Sequence, residues 1–248
     1  ERIHKALSRA GFGSRRAIER WIAQGRIQVN GELARLGDQV KRTDRILIDG
    51  KYCNHKTAAQ KSRVIMYHKP LGEVCTRSDP EGRKTVFQAV PPLPEGRWIS
   101  IGRLDINTTG LILFTNDGEL AHGLMHPSRE VQREYAVRVL GRVSPVALKQ
   151  LTHGVKLDDG MARFEHVMES GGEGANRWFH VVVVQGRNHV VRRLFESQEL
   201  VVNRLKRVRF GPVFLPKSLR QSAWMELSVA ELKQLTMAAD LTPSREEA

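Results

Sequence analysis

Apolar positions along the chain change period near residue 26. Residues 2–10 place Ile3, Ala6, Leu7 and Ala10 on one side at helical spacing. Gly11 and Gly13 then break the run. Ser14 suits the N-cap of a second helix that turns Ile18, Trp21 and Ile22 inward and stops at Gly25. Beyond it the period shortens to two. Arg26-Ile27-Gln28-Val29-Asn30-Gly31 reads as a strand entering an Asn-Gly hairpin turn, and Ile46, Leu47 and Ile48 as a closing strand before Asp49-Gly50. Residues 1–50 therefore make a helix–helix–hairpin module of about 50 residues, near the lower limit for independent folding. Residues 51–62 show no periodicity and are expected to be a linker.

From Arg63 onward short apolar runs alternate with helical patterns. Val64-Ile65-Met66-Tyr67, Trp98-Ile99-Ser100-Ile101, Leu111-Ile112-Leu113-Phe114 and residues 135–140 and 178–184 read as strands. Residues 118–125 read as a helix stopped by Pro127, and Ser144-Pro145 opens another as N-cap and first turn. Residues 189–197 turn Val191, Leu194 and Phe195 inward, and Ser228 with Glu231 forms a capping box for a last helix. The mixture predicts an α+β domain over residues 63–240 with a largely antiparallel sheet. Residues 241–248 are expected to be a disordered tail.

Charge sharpens this picture. The net charge is +13, and two segments account for all of it. Residues 2–26 hold seven Lys/Arg and one acid, a net of +6; residues 185–220 hold nine and two, a net of +7. Two concentrated basic zones imply two contact surfaces for a polyanion, although solvated basic faces without a partner would look the same. Lys5, Arg9, Arg15, Arg16 and Arg20 cannot all point into so small a core, so they form a basic helical surface. No apolar run approaches the 18 or so residues of a membrane span, and the first residues lack an apolar signal core. Two cysteines, Cys53 and Cys75, without CxxC spacing, fit a reducing, cytoplasmic compartment.

Several chemistries lack their residues. There is no Walker A or dinucleotide-binding glycine pattern, no GxSxG element, and Gly171-Gly172-Glu173-Gly174 lacks the lysine and helix of a phosphate cradle. His122 and His126 share a helix face, but Gly123 stands where a zincin has Glu and no third ligand is evident; no metal and no cofactor are expected. The remaining concentrated signal is Gly102-Arg103-Leu104-Asp105-Ile106-Asn107-Thr108-Thr109-Gly110, a polar loop between two apolar strands. From composition alone it could be an ordinary loop with a local Asp–Arg pair.

Two resemblances change that reading. Leu7-Ser8-Arg9-Ala10-Gly11, Ser14-Arg15-Arg16 and residues 25–31 resemble the S4 RNA-binding domain. Gly102-Arg103-Leu104-Asp105 followed by Thr108, Gly110 and Leu111 resembles the signature of RNA pseudouridine synthases. Residues 113–120, His126-Pro127-Ser128, Glu134-Tyr135, Gly186-Arg187-Asn188 and Val191-Arg192-Arg193-Leu194 extend the match. The combination looks like the S4-carrying branch of the family, which comprises type A for small-subunit RNA and types B, E and F for large-subunit RNA. Residues 78–83 and 171–174 look most like type B. Gln185 and His189 depart from that pattern, which commonly has Glu and Arg there.

The resemblance implies an S4-like module ahead of a pseudouridine synthase catalytic domain, acting as a monomer on ribosomal RNA, 23S in the B type, or on a pre-ribosomal particle. It implies Asp105 as nucleophile, Arg192 as its cationic partner with Arg193 as the adjacent rival, and Tyr135 stacking on the displaced base. Arg103 would enter the RNA stack, and Leu194 would line the base pocket unless it is core. Arg187, Arg204, Lys206, Arg207 and Arg209 join Arg193 as candidate RNA contacts. Two other readings remain. A non-catalytic RNA-binding or ribosome-assembly protein accounts for both basic zones but leaves the Asp105 motif unexplained; a DNA-binding regulator lacks a dimerisation element.

Overall fold

The structure is a computed structural model that describes residues 1–55 and 61–241. Its residues fall into two compact units. The first comprises Glu1–Ser62, Pro91–Ile99 and Asn116–Gly118; the second comprises Arg63–Val90, Ser100–Thr115 and Glu119–Ala248.

The first unit opens with α1 (Ile3–Arg9) and α2 (Arg15–Ala23). The Ser14 side chain accepts the Ala17 N–H, as an N-cap should. Strands β1 (Ile27–Val29), β2 (Glu32–Leu33), β3 (Ile46–Ile48) and β4 (Lys51–Cys53) form an antiparallel sheet in the order β2-β1-β3-β4. Two hairpins have two-residue turns whose central residues both take positive φ: Asn30 and Gly31, then Asp49 and Gly50. That is the backbone of a type I′ turn, which matches strand twist and favours these residue pairs. The apolar sides of both helices close on the sheet through Ile3, Leu7, Ile18, Ile22, Ile27 and Ile46. The stretch expected as a linker thus begins with a strand, because Asp49-Gly50 turns the chain back and Cys53 enters the core. Residues 56–60 of that stretch, and 242–248 of the expected tail, lie outside the described residues.

The second unit is built on β5 (Val64–Lys69), β6 (Ile99–Ile101), β7 (Thr109–Thr115), α3 (Gly118–Met125), β8 (Arg133–Leu140), α4 (Pro145–His153), β9 (Val155–Leu157) and β10 (Gly160–Ala162). It continues with β11 (His166–Glu169), β12 (Asn176–Val183), α5 (Val190–Glu196), β13 (Val201–Phe210), β14 (Val213–Phe214), β15 (Trp224–Glu226) and α6 (Val229–Ala238). The main sheet runs β11-β12-β8-β13-β7-β5-β15, with β14 on β13 and β6 on β7; β9 and β10 form a separate hairpin. Within the large sheet β13 and β7 pair in parallel, at Lys206↔Thr109 and Arg207↔Gly110. The expected α+β class and largely antiparallel sheet are what the chain forms. Val191, Leu194 and Phe195 of α5 pack into the core with Val137, Phe179, Val181 and Leu205, as the helical spacing predicts.

Two features of the sheet fix where its arginines point. β13 carries register shifts against β8 between Val202 and Arg204 and between Arg207 and Arg209. The bulges hold Val202, Leu205, Arg207 and Phe210 opposite Val139, Val137, Tyr135 and Arg133, all on one face. Arg204, Lys206 and Arg209 face the other way, opposite Arg138, Ala136 and Glu134. Second, Gly110 has φ +107°, and a Cβ there would lie 2.2 Å from the Arg207 carbonyl oxygen. The parallel contact between β7 and β13 therefore requires glycine at 110.

Gly110→Ala is expected to destabilise the fold by roughly 1–3 kcal/mol from overlap, plus about 1–2 kcal/mol from the left-handed backbone. Ser228→Ala should lose about 1 kcal/mol, the value of one helix cap. Urea midpoints of both variants check the ranking.

Candidate active site

The loop from Gly102 to Thr108 joins β6 to β7, and its backbone is held at every carbonyl from 104 to 108. Leu104 O accepts from the Cys75 thiol at 3.2 Å. Asp105 O accepts from Thr108 N–H at 2.9 Å and from Lys69 Nζ at 3.1 Å. Ile106 O accepts from Gly72 N–H at 3.1 Å, and Asn107 O from Arg192 Nη2 at 3.0 Å. Thr108 O accepts from Lys69 Nζ at 2.9 Å. A carboxylate mounted on such a loop has little backbone freedom.

Lys69 is the centre of this arrangement. It ends β5, is fully buried, and also donates to Pro70 O at 3.0 Å. Three short bonds use all three ammonium donors. Burial draws its pKa down, while Cys75, Glu73 and Asp105 act in the other direction. Burial likewise pushes the Cys75 thiol up, which suits a neutral S–H donor beside Leu104. Nothing in the pattern around Lys69 announces burial, since a lysine before proline at a strand end usually reads as surface.

Asp105 stands on the wall of a cavity of about 610 Å³ lined by four arginines (Arg103, Arg133, Arg187, Arg207) and two acids, Asp105 and Glu130. Tyr135, Thr108, Gln185, His189, Val190, Val191 and Leu205 also face it. The size is that of a small-ligand site, and the excess of guanidinium favours an anionic guest. His122 and His126 stand 5.6 Å apart edge-on, and no cluster of three metal-ligating side chains occurs among the described residues.

The structure sorts the residues singled out from sequence. Asp105, Arg103 and Tyr135 line the cavity together. Arg192 does not pair with the Asp105 carboxylate; its two Nη atoms donate to Val202 O and Asn107 O, so it braces the loop from behind. Arg193 does not take its place either. It is bound by Asp159, which also holds Arg187, and Arg193 pulls the Asp159 carboxyl down to about 2. The partner at Asp105 is His189, with Nε2 at 3.3 Å from Oδ1. His189 reaches it from the residue before α5, in left-handed backbone. Leu194 does not line the cavity: it is fully buried core, and Val190, Val191 and Leu205 belong to the apolar part of the lining with Leu104, Val131 and Val184.

The second basic zone is not one surface. Arg207 points into the cavity, whereas Arg204, Lys206 and Arg209 lie on the opposite sheet face. There Arg209 is bound to Glu134, which also accepts from His180. In the first unit Arg15, Arg16 and Arg20 are exposed, Lys5 is half-buried, Arg9 pairs with Glu1 and Arg26 with Asp49. Arg133, which sequence reading passed over, bonds Val131 O and Val184 O in the cavity wall. Its guanidinium and that of Arg207 stand 5.2 and 5.3 Å from the Phe210 ring.

Residues 63–197 match the RNA pseudouridylate synthase family and residues 1–46 match the S4 domain. The chain is 54% identical over 245 residues to the ribosomal large subunit pseudouridine synthase B of Pseudomonas aeruginosa; the match covers 98% of this chain and 64% of that protein. It is 52% identical over 248 residues to the protein of the same name from Vibrio cholerae, covering 99% of this chain and 77% of the relative. A crystal structure of a pseudouridylate synthase superposes with a TM-score of 0.66 at 26% identity, covering 94% of this chain and 99% of that one.

Lys69→Met keeps the apolar stem and removes the donors. It should lower stability by about 2–3 kcal/mol, because buried carbonyls lose their partners; denaturant titration checks this. Arg192→Ala should slow single-turnover conversion of RNA more than Arg193→Ala, by about 10-fold or more, since a charge-assisted bond is worth roughly 1.5–3 kcal/mol. Equal rates would remove Arg192 from the support of the loop.

Proposed function

The chain belongs to the RNA pseudouridylate synthase family, and on that premise we propose that it isomerises a uridine of large-subunit (23S) ribosomal RNA to pseudouridine with Asp105 as nucleophile. The observation that carries the reading is Asp105 itself. Its carboxylate sits on a loop tied at five successive carbonyls, at the edge of a cationic cavity shared with Tyr135. A non-catalytic RNA-binding protein has no use for so constrained a carboxylate.

The chemistry asks little beyond these groups. The C1′–N1 bond of the target uridine breaks, the base turns, and C5 bonds to C1′; overall the C5 proton is exchanged for one on N1, so nothing enters or leaves. A carboxylate suits attack on, or stabilisation of, the electron-poor C1′. His189 Nε2 stands 3.3 Å from the Asp105 carboxylate, and the arginines of the cavity line the same site. Arg192 supports the reaction through Asn107 O rather than through the carboxylate. Tyr135 presents a half-buried ring to the displaced base, and exposed Arg103 at the rim fills the gap left in the RNA stack. The basic face of α2 supplies affinity for phosphates, with the substrate either free rRNA or a pre-ribosomal particle. The enzyme works as a monomer in the cytoplasm, in keeping with two free cysteines; among the described residues no helix is long and apolar enough to cross a membrane.

Asp105→Asn should abolish tritium release from C5-labelled uridine RNA while leaving RNA affinity within about twofold, because Asn keeps the loop's shape but lacks the anion. Release at more than a small fraction of the wild-type rate would exclude Asp105 as nucleophile. Replacing Arg15, Arg16 and Arg20 together by Gln should reduce the log–log salt slope of binding by about 2, near 0.7 for each phosphate contact on single-stranded RNA. The rate at saturating RNA should stay the same. An unchanged slope would mean that this helix face does not touch phosphates.

A further inference from the structure

Buried polar atoms in proteins are nearly always paired, so those that are not point to a missing partner. The cavity beside Asp105 holds three. Arg207 is 1% exposed and spends its Nε on Leu111 O at 2.7 Å, but its Nη2 is sealed from solvent with no hydrogen-bond partner. The Thr108 hydroxyl, on a residue also 1% exposed, has none, and neither has Gln185 Oε1. All three residues line the same cavity. They offer a donor, a hydroxyl that both donates and accepts, and an acceptor. The edge of uracil offers the complement: two carbonyl oxygens and an N–H between them.

We propose that Arg207 is a catalytic residue for the base half of the reaction: its guanidinium donates to a carbonyl oxygen of the uracil and holds the negative charge the base carries once detached. The proposal rests on the assignment of pseudouridine synthesis to this cavity and extends it from the sugar to the base. When the C1′–N1 bond breaks, its electron pair leaves with the uracil. The resulting anion spreads its charge onto O2 and O4. With Asp105 bonded to C1′ in place of N1, C5 then uses an electron pair of the ring to bond C1′; the Asp105–C1′ bond breaks and its pair returns to the carboxylate, C5 gives up its proton, and N1 takes one up. Throughout, the guanidinium stays protonated and gives up nothing.

Placement favours this role over that of a plain strap between strands. Nε already ties Arg207 to β7, so the strap function is complete without Nη2. The residue lies opposite Tyr135 across β8 and opposite Gly110 across β7, next to the loop that carries Asp105. It is held there between the two bulges of β13. Arg133 shares the Phe210 ring with it and adds a second positive charge behind the same wall. Charged donors fixed in place before the reaction are more effective at developing charge than donors that must reorganise. Gln185 and Thr108 then read the rest of the base edge.

The test compares a target uridine with 5-fluorouridine at the same position of an RNA stem-loop, using the full chain under single-turnover conditions. Fluorine stabilises the uracil anion, so a base carrying it depends less on Arg207. Consumption of the target nucleotide is followed by digestion and mass spectrometry, alongside the RNA dissociation constant and thermal midpoint. Arg207→Gln should slow the uridine reaction by about 100-fold, as loss of an oxyanion donor does, and the fluorouridine reaction by about tenfold less. Arg207→Lys, which retains the charge and apolar stem, should recover part of the uridine rate and serves if the Gln variant does not fold. RNA affinity should stay within about twofold, because phosphate contacts dominate it. Equal losses on both substrates by the folded variants would make Arg207 structural and overturn the proposal. A wild-type protein that makes no pseudouridine would instead overturn the assignment of the reaction itself.

Discussion

The buried ammonium of Lys69 is the constraint on which the loop carrying Asp105 depends. A carbonyl turned away from strand pairing needs a donor, and a charged donor with three hydrogens satisfies three of them at once. Lys69 does so for Pro70, Asp105 and Thr108, while Cys75, Gly72 and Arg192 take Leu104, Ile106 and Asn107. The segment therefore keeps an irregular path that neither helix nor sheet would stabilise. Desolvating the lysine opposes folding, but the carbonyl oxygens restore much of what water supplied. The result is an aspartate whose backbone is fixed by its loop, with His189 as the partner of its carboxylate.

That arrangement separates two tasks that are easily merged. Support of the loop falls to Lys69 and Arg192, which touch only main-chain oxygens there. The electrostatic character of the cavity falls to Arg103, Arg133, Arg187 and Arg207, which line it. Arg193 serves neither task directly, because Asp159 on the β9–β10 turn holds it and Arg187 together. Neighbouring arginines in sequence thus have three different employments, and the carboxylates around them decide which.

Gly110 links the loop to the sheet. Its missing side chain lets β7 approach β13 in parallel, and that approach sets Arg207 beside the loop's exit. The same glycine belongs to the motif by which the loop was singled out. Its presence there has a steric reason independent of any catalytic role.

Much was legible from local pattern. The two helices and the Asn-Gly hairpin of the first unit, the helix over residues 118–125, the capped helices at Ser144 and Ser228 and the strand runs follow from periodicity and turn chemistry, which act within a few residues. The loop carrying Asp105 was found through its motif. What local pattern could not supply were contacts between residues far apart in sequence. Asp105 meets His189 rather than Arg192 because α5 begins with a left-handed residue that aims His189 at the loop. Leu194 went to the core for the same reason, as the turn of α5 that could have faced the base faces the sheet. The basic run of β13 read as one surface, yet two bulges shift its register and send Arg207 inward while Arg204, Lys206 and Arg209 go outward. A strand's sequence carries a period of two, but whether the period is interrupted depends on the strand beside it. Likewise, a lysine becomes a buried clamp only where a loop elsewhere in the chain brings unpaired carbonyls to it, and only the tertiary structure decides that.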